Sequence, residues 1–341
     1  MYNFFKGLLR AELATPLVSN QNKYIKPHIV NKLGKKNKKK IFYIIKKNFQ
    51  PNGLFSNLSF VLYHLDYALK KKYLPIVDMQ NFPTIYNEKQ AISGTKNSWD
   101  YFFYPLSNYN LDDVYKSAKV IFSSDSIPVF FVNHQPRFKI LLKKKIKIQS
   151  KILSLFKKKK KLYFGRNRIM GVHVRGTLQR IVKGHSLPPN PQDFLNEAIK
   201  IFTKSKCDKI FLVTEDLIYL NSFRNYFKDK LIYLNTPRSD PKIFGSHNYH
   251  FTKYNRKYHR YKLGVEVLID ALLLSTTKTF LFTDSNVWRF ASMLASKKQK
   301  KYHFITKFNS NNKFFARWKW YFHNYLYLLF GKVDYKIKKI D

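Results

Sequence analysis

The chain has 341 residues, which is long enough for two domains with sizeable cores. Its hydrophobic content of 45% and aromatic content of 17% exclude a disordered chain. A single cysteine excludes an intrachain disulfide. Neither a cleavable signal sequence nor an apolar run of about 20 residues is recognisable, so we expect a cytoplasmic protein.

The formal net charge of +44 arises from 64 basic and 20 acidic residues, and only 12 of the basic residues are arginines. Proteins that read nucleic-acid sequence rely on Arg for bidentate contacts with bases, so this composition predicts no specific nucleic-acid partner. The charge does predict attraction to polyanions, and an anionic membrane surface is the candidate partner. A non-catalytic, basic nucleic-acid-binding or membrane-binding protein remains the alternative to an enzyme.

The first half of the chain mixes strands and helices and ends in a lysine-rich segment. The helix that we predict after the first strand shows apolar residues at helical spacing, and the last segment closes with five consecutive lysines at 157–161. We therefore predict an N-terminal domain over residues 1–161, which ends in a basic helical linker. Its elements are a basic amphipathic segment (1–40), strands (41–45, 74–78, 120–124), helices (54–69, 112–118), a loop (83–110) and the linker (138–161).

The second half alternates strand and helix more regularly, which predicts an α/β fold with a parallel, doubly wound sheet. We assign residues 162–310 to a nucleotide-binding domain and residues 311–341 to an aromatic, basic tail. Predicted strands cover 169–172, 209–214, 231–234, 279–282 and 303–305, with the last strand closing the sheet. Predicted helices cover 190–202, 219–227, 263–274 and the residues after Asn286 through 294, and a long loop covers 235–261.

Polar side chains follow the first predicted strand of the second half, in the sequence Gly-Val-His-Val-Arg-Gly-Thr at 171–177. His173 and Arg175 stand on alternate residues and so face the same side. Ligands of open α/β sheets bind at the carboxyl ends of strands, and Arg offers a planar fork of donors to a phosphate. We predict phosphate recognition here, and a structural salt bridge is the alternative.

Two strand-to-helix turns could also bind phosphate. Thr283, Asp284, Ser285 and Asn286 lie between a strand and a helix, where backbone N–H groups and hydroxyls bind anions. An ordinary helix cap is the alternative, because Asp, Ser and Asn all favour that position. The turn from Gly53 to Asn57 contains a single glycine, and on local grounds it reads as an ordinary turn.

Metal binding is not expected from this sequence. No Asp-x-Asp pair occurs in the chain, so the usual carboxylate clamp for Mg²⁺ or Mn²⁺ on a nucleotide diphosphate is missing. Cations of the protein, with Arg175 first among them, would neutralise such a ligand. His247, His250 and His259 share one loop, but no Cys or acid pair supports a metal site there. Asp270 lies in an apolar helix and needs a specific partner, either a ligand or an arginine.

The order and spacing of four segments resemble the superfamily of α1,6-fucosyltransferases, nodulation fucosyltransferases and protein O-fucosyltransferases. The segments are 171–177, Val-Thr-Glu-Asp at 213–216, the helix 264–275 and Thr-Asp-Ser-Asn at 283–286, and the resemblance is best over residues 165–300. The resemblance implies a GT-B fold, in which two Rossmann-like domains face a cleft. It also implies a GDP-fucose donor and inverting transfer without metal or other cofactor.

The resemblance assigns roles to individual residues. Arg175 matches the arginine that binds the donor β-phosphate and stabilises the leaving group, and His173 and Asp270 match the pair that recognises guanine. The remaining matches line the donor site or contact the diphosphate: Thr214, Asp216, Thr283, Asp284, Ser285 and Asn286, together with Gly53 and Asn57 of the first turn. A glycan or a lipid-linked saccharide is the expected acceptor.

The sequence departs from the family at three places. Leu178 stands where an acid is common, Gly176 replaces a second basic residue, and Phe55 replaces a second glycine in the first turn. A transferase that uses another nucleotide sugar therefore remains an alternative. For the general base, Asp78 and Glu88 are the candidates in the acceptor-side domain.

The tail is rich in aromatic and basic residues between Lys313 and Gly331. Such residues suit a membrane interface, so we expect peripheral attachment to the inner membrane face, helped by the basic N-terminus and the lysine-rich linker. A final helix that packs back across the first domain is the alternative.

Overall fold

A computed structural model describes residues 30–50, 52–125, 136–239, 255–330 and 335–340. These residues form two β-sheets, each with helices around it. The first contains β1 (Val30–Asn31), β2 (Phe42–Ile45), α1 (Leu54–Lys70), β3 (Leu74–Val77), α2 (Leu111–Tyr115), β4 (Val120–Phe122), α3 (Pro136–Lys145) and α4 (Ser150–Phe164). The second contains β5 (Ile169–His173), α5 (Pro191–Ser205), β6 (Lys209–Val213), α6 (Leu217–Phe227), β7 (Leu231–Ile232), α7 (His259–Ser275), β8 (Thr279–Phe282), α8 (Asn286–Leu294), β9 (Lys300–Ile305), α9 (Lys313–Phe330) and β10 (Lys336–Ile340).

The first sheet has the strand order β1-β4-β2-β3. Strands β2, β3 and β4 are parallel, whereas β1 pairs with β4 in antiparallel orientation. All four residues of β2 are buried, as expected for a central parallel strand that is covered on both faces. The first sheet is therefore a small Rossmann-like unit, as predicted.

The second sheet has the strand order β10-β9-β8-β5-β6-β7, and the five strands β5 to β9 are parallel. The chain leaves β5 in one direction to reach β6 and later returns to the other side for β8, so a topological switch point lies between β5 and β8. In open α/β sheets this is where ligands bind. The predicted doubly wound sheet is confirmed, and the switch point places His173 and Thr283 next to each other.

The edge of the second sheet differs from the prediction. We expected the strand at 303–305 to close the sheet, but β10 pairs with β9 in antiparallel orientation beyond it. Strand β10 has the sequence Lys-Ile-Lys-Lys-Ile, which gives no apolar run and so no sequence signal for a strand. Lysines are typical of an edge strand because they discourage further pairing.

The segment predicted as a basic helical linker is part of the packed structure. It forms two helices, α3 and α4, and the predicted domain boundary at residue 161 falls inside α4. Gln149 lies in the short connection between the two helices. Its side-chain amide donates hydrogen bonds to the carbonyl oxygens of Asp100 (2.9 Å) and Phe103 (3.2 Å). Ile152 and Phe164 are buried, and α4 packs against α7. The segment therefore joins the two sheets through contacts rather than as a free spacer.

Aromatic contacts join the first half of the chain to the second half. Phe55 of α1 stacks on Phe290 of α8 with ring centroids 4.4 Å apart, and Phe102 stacks on Tyr261 at 5.9 Å. Gly264 allows the second contact, because a Cβ at this position would lie 2.2 Å from the Phe102 ring. One core cluster consequently includes residues from both halves of the chain.

The tail forms a helix, but it packs on the second half of the chain. Trp320 of α9 donates a hydrogen bond to the carbonyl oxygen of Pro188 (3.1 Å), and among the described side chains of this helix no such bond reaches the first domain, which was the alternative position for the helix. Within the described ranges, no helix combines the length and apolar character that a membrane crossing requires. The predicted basic segment at 1–40 lies outside the described residues up to position 29.

Candidate active site

A cleft opens where the carboxyl ends of β5 and β6 and the loop after β8 face the N-terminus of α1. It therefore lies at the switch point of the second sheet and is closed from the other side by the first half of the chain. Its lining includes Asn52, Gly53, Leu54, Phe55, Ser56, Tyr86, His173, Arg175, Gln179, His185, Thr214, Glu215, Glu266, Asp270, Ser285 and Asn286.

Arg175 provides the positive charge of the cleft. Its side chain is 33% exposed, and its Nε atom lies 3.6 Å from Oε1 of Glu215. Its backbone N–H donates to Oγ1 of Thr283 (3.4 Å), which holds the residue against the neighbouring strand end. Among the described residues, Glu215 is the one carboxylate within 4 Å of the guanidinium. Much of the guanidinium fork is therefore left to bind an anion from solution.

His173 is buried behind Arg175. Burial and, as the smaller cause, the charge of Arg175 together lower the pKa of its imidazole to about 3, so the ring is neutral near pH 7. Its Nδ1 lies 3.3 Å from Oγ of Ser285. The Ser285 hydroxyl accepts a hydrogen bond from the backbone N–H of Trp288, so its own proton can be donated to Nδ1. This arrangement favours the tautomer that carries its proton on Nε2.

Asp270 lines the same cleft from α7. Burial raises the pKa of its carboxyl to about 7, and Arg238 acts in the opposite direction. Arg238 itself donates to the carbonyl oxygens of Leu234 (2.7 Å) and Thr214 (3.2 Å) and so fixes two strand ends. Within the described part of the chain, no hydrogen bond or ion pair reaches the Asp270 carboxyl. A cleft-lining carboxyl of this kind is suited to accept hydrogen bonds from a ligand.

Two helices direct their N-termini into the cleft. Gly53 caps the 17-residue helix α1 without a side-chain hydrogen bond, and Ser285 caps the nine-residue helix α8. The Leu54 N–H of α1 donates to Tyr86 and the Trp288 N–H of α8 donates to Ser285, so these two N-termini act on a ligand mainly through the partial positive charge of the helix dipole. Because both N-termini and Arg175 line one cleft, the site is suited to a multiply charged anion.

The structure brings seven of the eleven predicted site residues to the cleft and leaves four outside its lining. The four residues outside the lining are buried or partly buried and have hydrogen-bond or ion-pair partners in the protein. The seven are Gly53, His173, Arg175, Thr214, Asp270, Ser285 and Asn286; the four are Asn57, Asp216, Thr283 and Asp284.

Asp216 is fully buried and does not line the cleft, in contrast to the role that the resemblance implied. It pairs with the buried guanidinium of Arg180, accepts from the backbone N–H of Thr177 (3.0 Å) and caps α6 at Ile218 (2.9 Å). Its carboxylate oxygens are therefore occupied by protein donors. Asp216 positions the turn that follows Arg175.

The other three residues support the cleft from behind. The hydroxyl oxygen of Thr283 accepts the hydrogen bond from the backbone N–H of Arg175. Asp284 accepts from the hydroxyl of Ser186 (3.2 Å) and lies 3.8 Å from Arg289. The amide of Asn57 lies 3.5 Å from the carbonyl oxygen of Asn52 and so braces the first turn.

Two of the three family departures have a physical reason. A Cβ at Gly176 would lie 1.9 Å from Oδ2 of Asp216, so the close approach of this backbone to the buried carboxylate leaves no room for a second basic side chain. Phe55 is buried against Phe290 and so replaces a flexible glycine with a contact that fixes α1 to α8. The side chain of Leu178 lies outside the described part of the structure.

Neither predicted general base lines the cleft. Asp78 is fully buried and accepts hydrogen bonds from Tyr115, Asn81 and the backbone of Gln80. Glu88 accepts from the backbone N–H of Tyr261 (2.9 Å) near the start of α7. Both carboxylates are therefore engaged in structural contacts.

Sequence reasoning missed several residues of the cleft. Glu215 accepts from the backbone N–H of Gly176 (3.1 Å), and its position next to Thr214 was a signal for it. His185 reaches the cleft from the loop after Arg180, where burial and the charge of Arg175 lower the pKa of its ring. Tyr86 accepts from the backbone N–H of Leu54 (2.8 Å), and burial raises its pKa. No local pattern marks His185 or Tyr86, because the fold brings them in from distant segments.

The described residues contain no cluster of three metal-ligating side chains. His259 accepts at Nδ1 from Nε of Arg256 (2.8 Å), and Arg256 also pairs with both carboxylate oxygens of Glu266. His259 is therefore part of an ion-pair network at the start of α7. His247 and His250 lie outside the described residues.

Comparison with solved structures identifies the fold. The fucosyltransferase NodZ from Bradyrhizobium matches with a TM-score of 0.51 and 15% identity, over 77% of this chain and 95% of that one. NodZ α-1,6-fucosyltransferase co-crystallised with GDP gives 0.51 and 15%, over 80% and 99%. The NodZ structure soaked with GDP-fucose gives 0.50 and 16%, over 77% and 94%. No protein-family model and no curated protein sequence matches the chain.

These similarities define the class of fold. The chain has the GT-B fold of fucosyltransferases, with two Rossmann-like units that face a cleft. The fold prediction and the resemblance on which it rested are therefore confirmed at the level of architecture. At 15–16% identity, the comparison shows the fold and assigns neither a donor nor an acceptor to this chain.

Proposed function

We propose that the protein is a glycosyltransferase that transfers fucose from GDP-fucose to a glycan or lipid-linked saccharide. The observation that carries this proposal is the convergence of Arg175 and two helix N-termini on one cleft, with His173 and Asp270 at its wall. Such a cleft fits a nucleoside diphosphate, because Arg175 and the positive ends of two helix dipoles can balance negative charge on the phosphates without a metal ion. The GDP and GDP-fucose complexes of the NodZ structures support a guanine nucleotide as the donor.

In the proposed reaction, the bond between the sugar C1 and the diphosphate oxygen breaks while the acceptor hydroxyl attacks C1 from the opposite face. The electron pair of the broken bond passes to the diphosphate, and the acceptor proton passes to a base. Arg175 and the positive ends of the α1 and α8 dipoles stabilise the growing negative charge. One preorganised donor of this kind lowers the activation barrier by about 3 kcal/mol.

Guanine recognition is assigned to Asp270, with His173 beside the same wall. An ionised carboxylate accepts the two N–H donors on the Watson–Crick edge of guanine, which uracil and cytosine do not offer in the same pattern. The raised pKa of Asp270, about 7, means that its carboxyl is partly protonated in the free protein near neutral pH. Binding of guanine should therefore favour loss of that proton.

The proposal is tested by titrating GDP, UDP, CDP and ADP into the wild type and the Asp270→Asn variant. GDP should bind the wild type most tightly, and Asp270→Asn should weaken GDP binding roughly 5- to 150-fold, which corresponds to a loss of about 1–3 kcal/mol. UDP binding should change little. Asp229→Asn, a substitution of an exposed aspartate, serves as the matched control.

The same titration has a pH dependence with a defined sign. Below pH 7 the Asp270 carboxyl becomes protonated and loses its acceptor character, so the ratio of wild-type to variant affinity for GDP should fall as the pH decreases from 8 to 6. GDP ionises in the same way in both titrations, so its own pH dependence cancels in this ratio of affinities. Equal losses of GDP and UDP affinity in the variant would indicate a structural role, and preference for another nucleotide would indicate another donor.

Transfer activity should persist in the presence of EDTA. The chain has no Asp-x-Asp clamp, and in the proposed mechanism the charge of the leaving diphosphate is neutralised by the protein. The measurement is fucose transfer or GDP-fucose hydrolysis before and after chelation. Complete loss of activity that Mn²⁺ restores would contradict metal-independent transfer.

A further inference from the structure

The outward face of α9 carries a continuous row of exposed aromatic side chains, which we call the aromatic stripe. Their spacing follows the helical repeat, so they occupy one side of the helix. Six of the thirteen large apolar side chains that are exposed in the described ranges belong to this stripe. Its members are Phe314, Phe315, Trp318, Tyr321, Phe322 and Tyr325.

The opposite face fixes the orientation of the helix. Ala316 is fully buried, and Lys319 donates to the carbonyl oxygen of Phe308 (2.8 Å). The Arg180 guanidinium lies 4.2 Å from the centre of the Trp320 ring, whose Nε1 is held as described above. These contacts anchor α9 to the second half of the chain, so the stripe is held toward solvent by packing. A contiguous aromatic surface of this size indicates an interaction site.

The charge around the stripe selects the partner. Helix α9 contains three Lys or Arg residues and no Asp or Glu. Arg317 lies one turn from Phe314 and Tyr321 and is itself exposed. An anionic partner is therefore favoured, whereas a second copy of a chain with a net charge of +44 would be repelled.

We propose that α9 lies in the plane of an anionic lipid bilayer and attaches the protein to it through the aromatic stripe. Trp and Tyr side chains favour the headgroup region, and Phe side chains enter the boundary with the acyl chains. Arg317 reaches the lipid phosphates while its stem contacts the apolar layer. This inference concerns attachment and is independent of which sugar the enzyme transfers.

Trp318 provides a built-in probe of this contact. The chain has four tryptophans, and Trp99, Trp288 and Trp320 are buried, whereas Trp318 is exposed. The full-length protein is mixed with vesicles of phosphatidylcholine, with or without phosphatidylglycerol. We expect a blue shift of tryptophan emission and protection from acrylamide quenching with the anionic vesicles, and reversal of both by added salt.

A flotation assay with matched variants tests the stripe directly. Phe315→Ser/Tyr321→Ser/Tyr325→Ser removes three stripe residues and retains Trp318, and we expect its partition into anionic vesicles to fall at least about tenfold. The control Phe49→Ser/Leu162→Ser/Tyr226→Ser removes three exposed apolar side chains elsewhere and should partition like the wild type. Far-ultraviolet circular dichroism shows whether each variant is folded.

Several results would overturn the proposal. The first is a Trp318 emission that no vesicle changes. This measurement uses the wild-type protein, so it does not depend on whether a variant folds. The second is equal binding to neutral and anionic vesicles. The third is an equal loss in the control variant, and the fourth is a wild-type dimer in sedimentation that the stripe substitutions convert to monomers, since a second copy would then cover the stripe.

Discussion

Replacing Arg175 with alanine is expected to lower the rate of sugar transfer by at least about a hundredfold while leaving the protein folded. The guanidinium faces the cleft, is one-third exposed and, among the described residues, has one carboxylate neighbour at 3.6 Å, so its loss costs little packing. It lies where the proposed reaction develops negative charge. The measurement is kcat for transfer from GDP-fucose, together with the unfolding midpoint of each variant.

Arg175→Lys separates charge from geometry. A lysine keeps the positive charge but offers a single ammonium instead of a planar fork, so we expect it to restore only a small part of the lost rate. Arg224→Ala is the matched control, because Arg224 is exposed and its bond to Asn221 lies on the surface of α6. Turnover of either Arg175 variant within about threefold of wild type would remove Arg175 from the mechanism.

The pattern of strands and their polar ends predicted much of the cleft. His173, Arg175, Thr214 and Ser285 each stand at or just beyond the end of a predicted strand, and parallel strands bring such positions to one edge of a sheet. Local sequence carries this information because the apolar run and the polar turn are adjacent in the chain. The doubly wound sheet followed from the alternation of strand and helix, whereas the GT-B architecture was implied by the resemblance to fucosyltransferases.

The remaining features depend on contacts between distant segments. Asp216 stands at a strand end like the others, yet it turns away from the cleft to pair with Arg180, which no local pattern indicates. His185 and Tyr86 reach the cleft from loops whose paths only the packed structure defines. Strand β10 gives no strand signal because its stability comes from pairing with β9.

Replacing Asp216 with alanine is expected to lower the free energy of unfolding by about 3–5 kcal/mol, because it leaves the buried guanidinium of Arg180 without its counter-ion. The side chains of Arg180 and Asp216 are 3% and 0% exposed, so water cannot take the place of the missing carboxylate. The substitution also removes the cap of α6 and the acceptor for the Thr177 N–H. Urea unfolding measures the loss.

The exposed pair of Arg168 and Asp208 offers a matched control. Its side chains are 54% and 37% exposed, so Asp208→Ala should shift the unfolding midpoint far less than Asp216→Ala does. A double-mutant cycle with Arg180→Met and Asp216→Asn measures the interaction free energy between the two side chains. The loss of unfolding free energy in the double variant should be smaller than the sum of the losses in the two single variants.

The Asp216 variants also decide between two roles for this carboxylate. If Asp216 bound the donor, Asp216→Asn would lose GDP affinity at wild-type stability. Our structure predicts the reverse, because the side chain contacts Arg180 and the turn after Arg175 instead of the cleft. Loss of stability should therefore come first, and GDP binding should fall only as far as the turn that presents Arg175 is displaced. An unchanged unfolding curve with weakened GDP binding would contradict the buried-pair assignment.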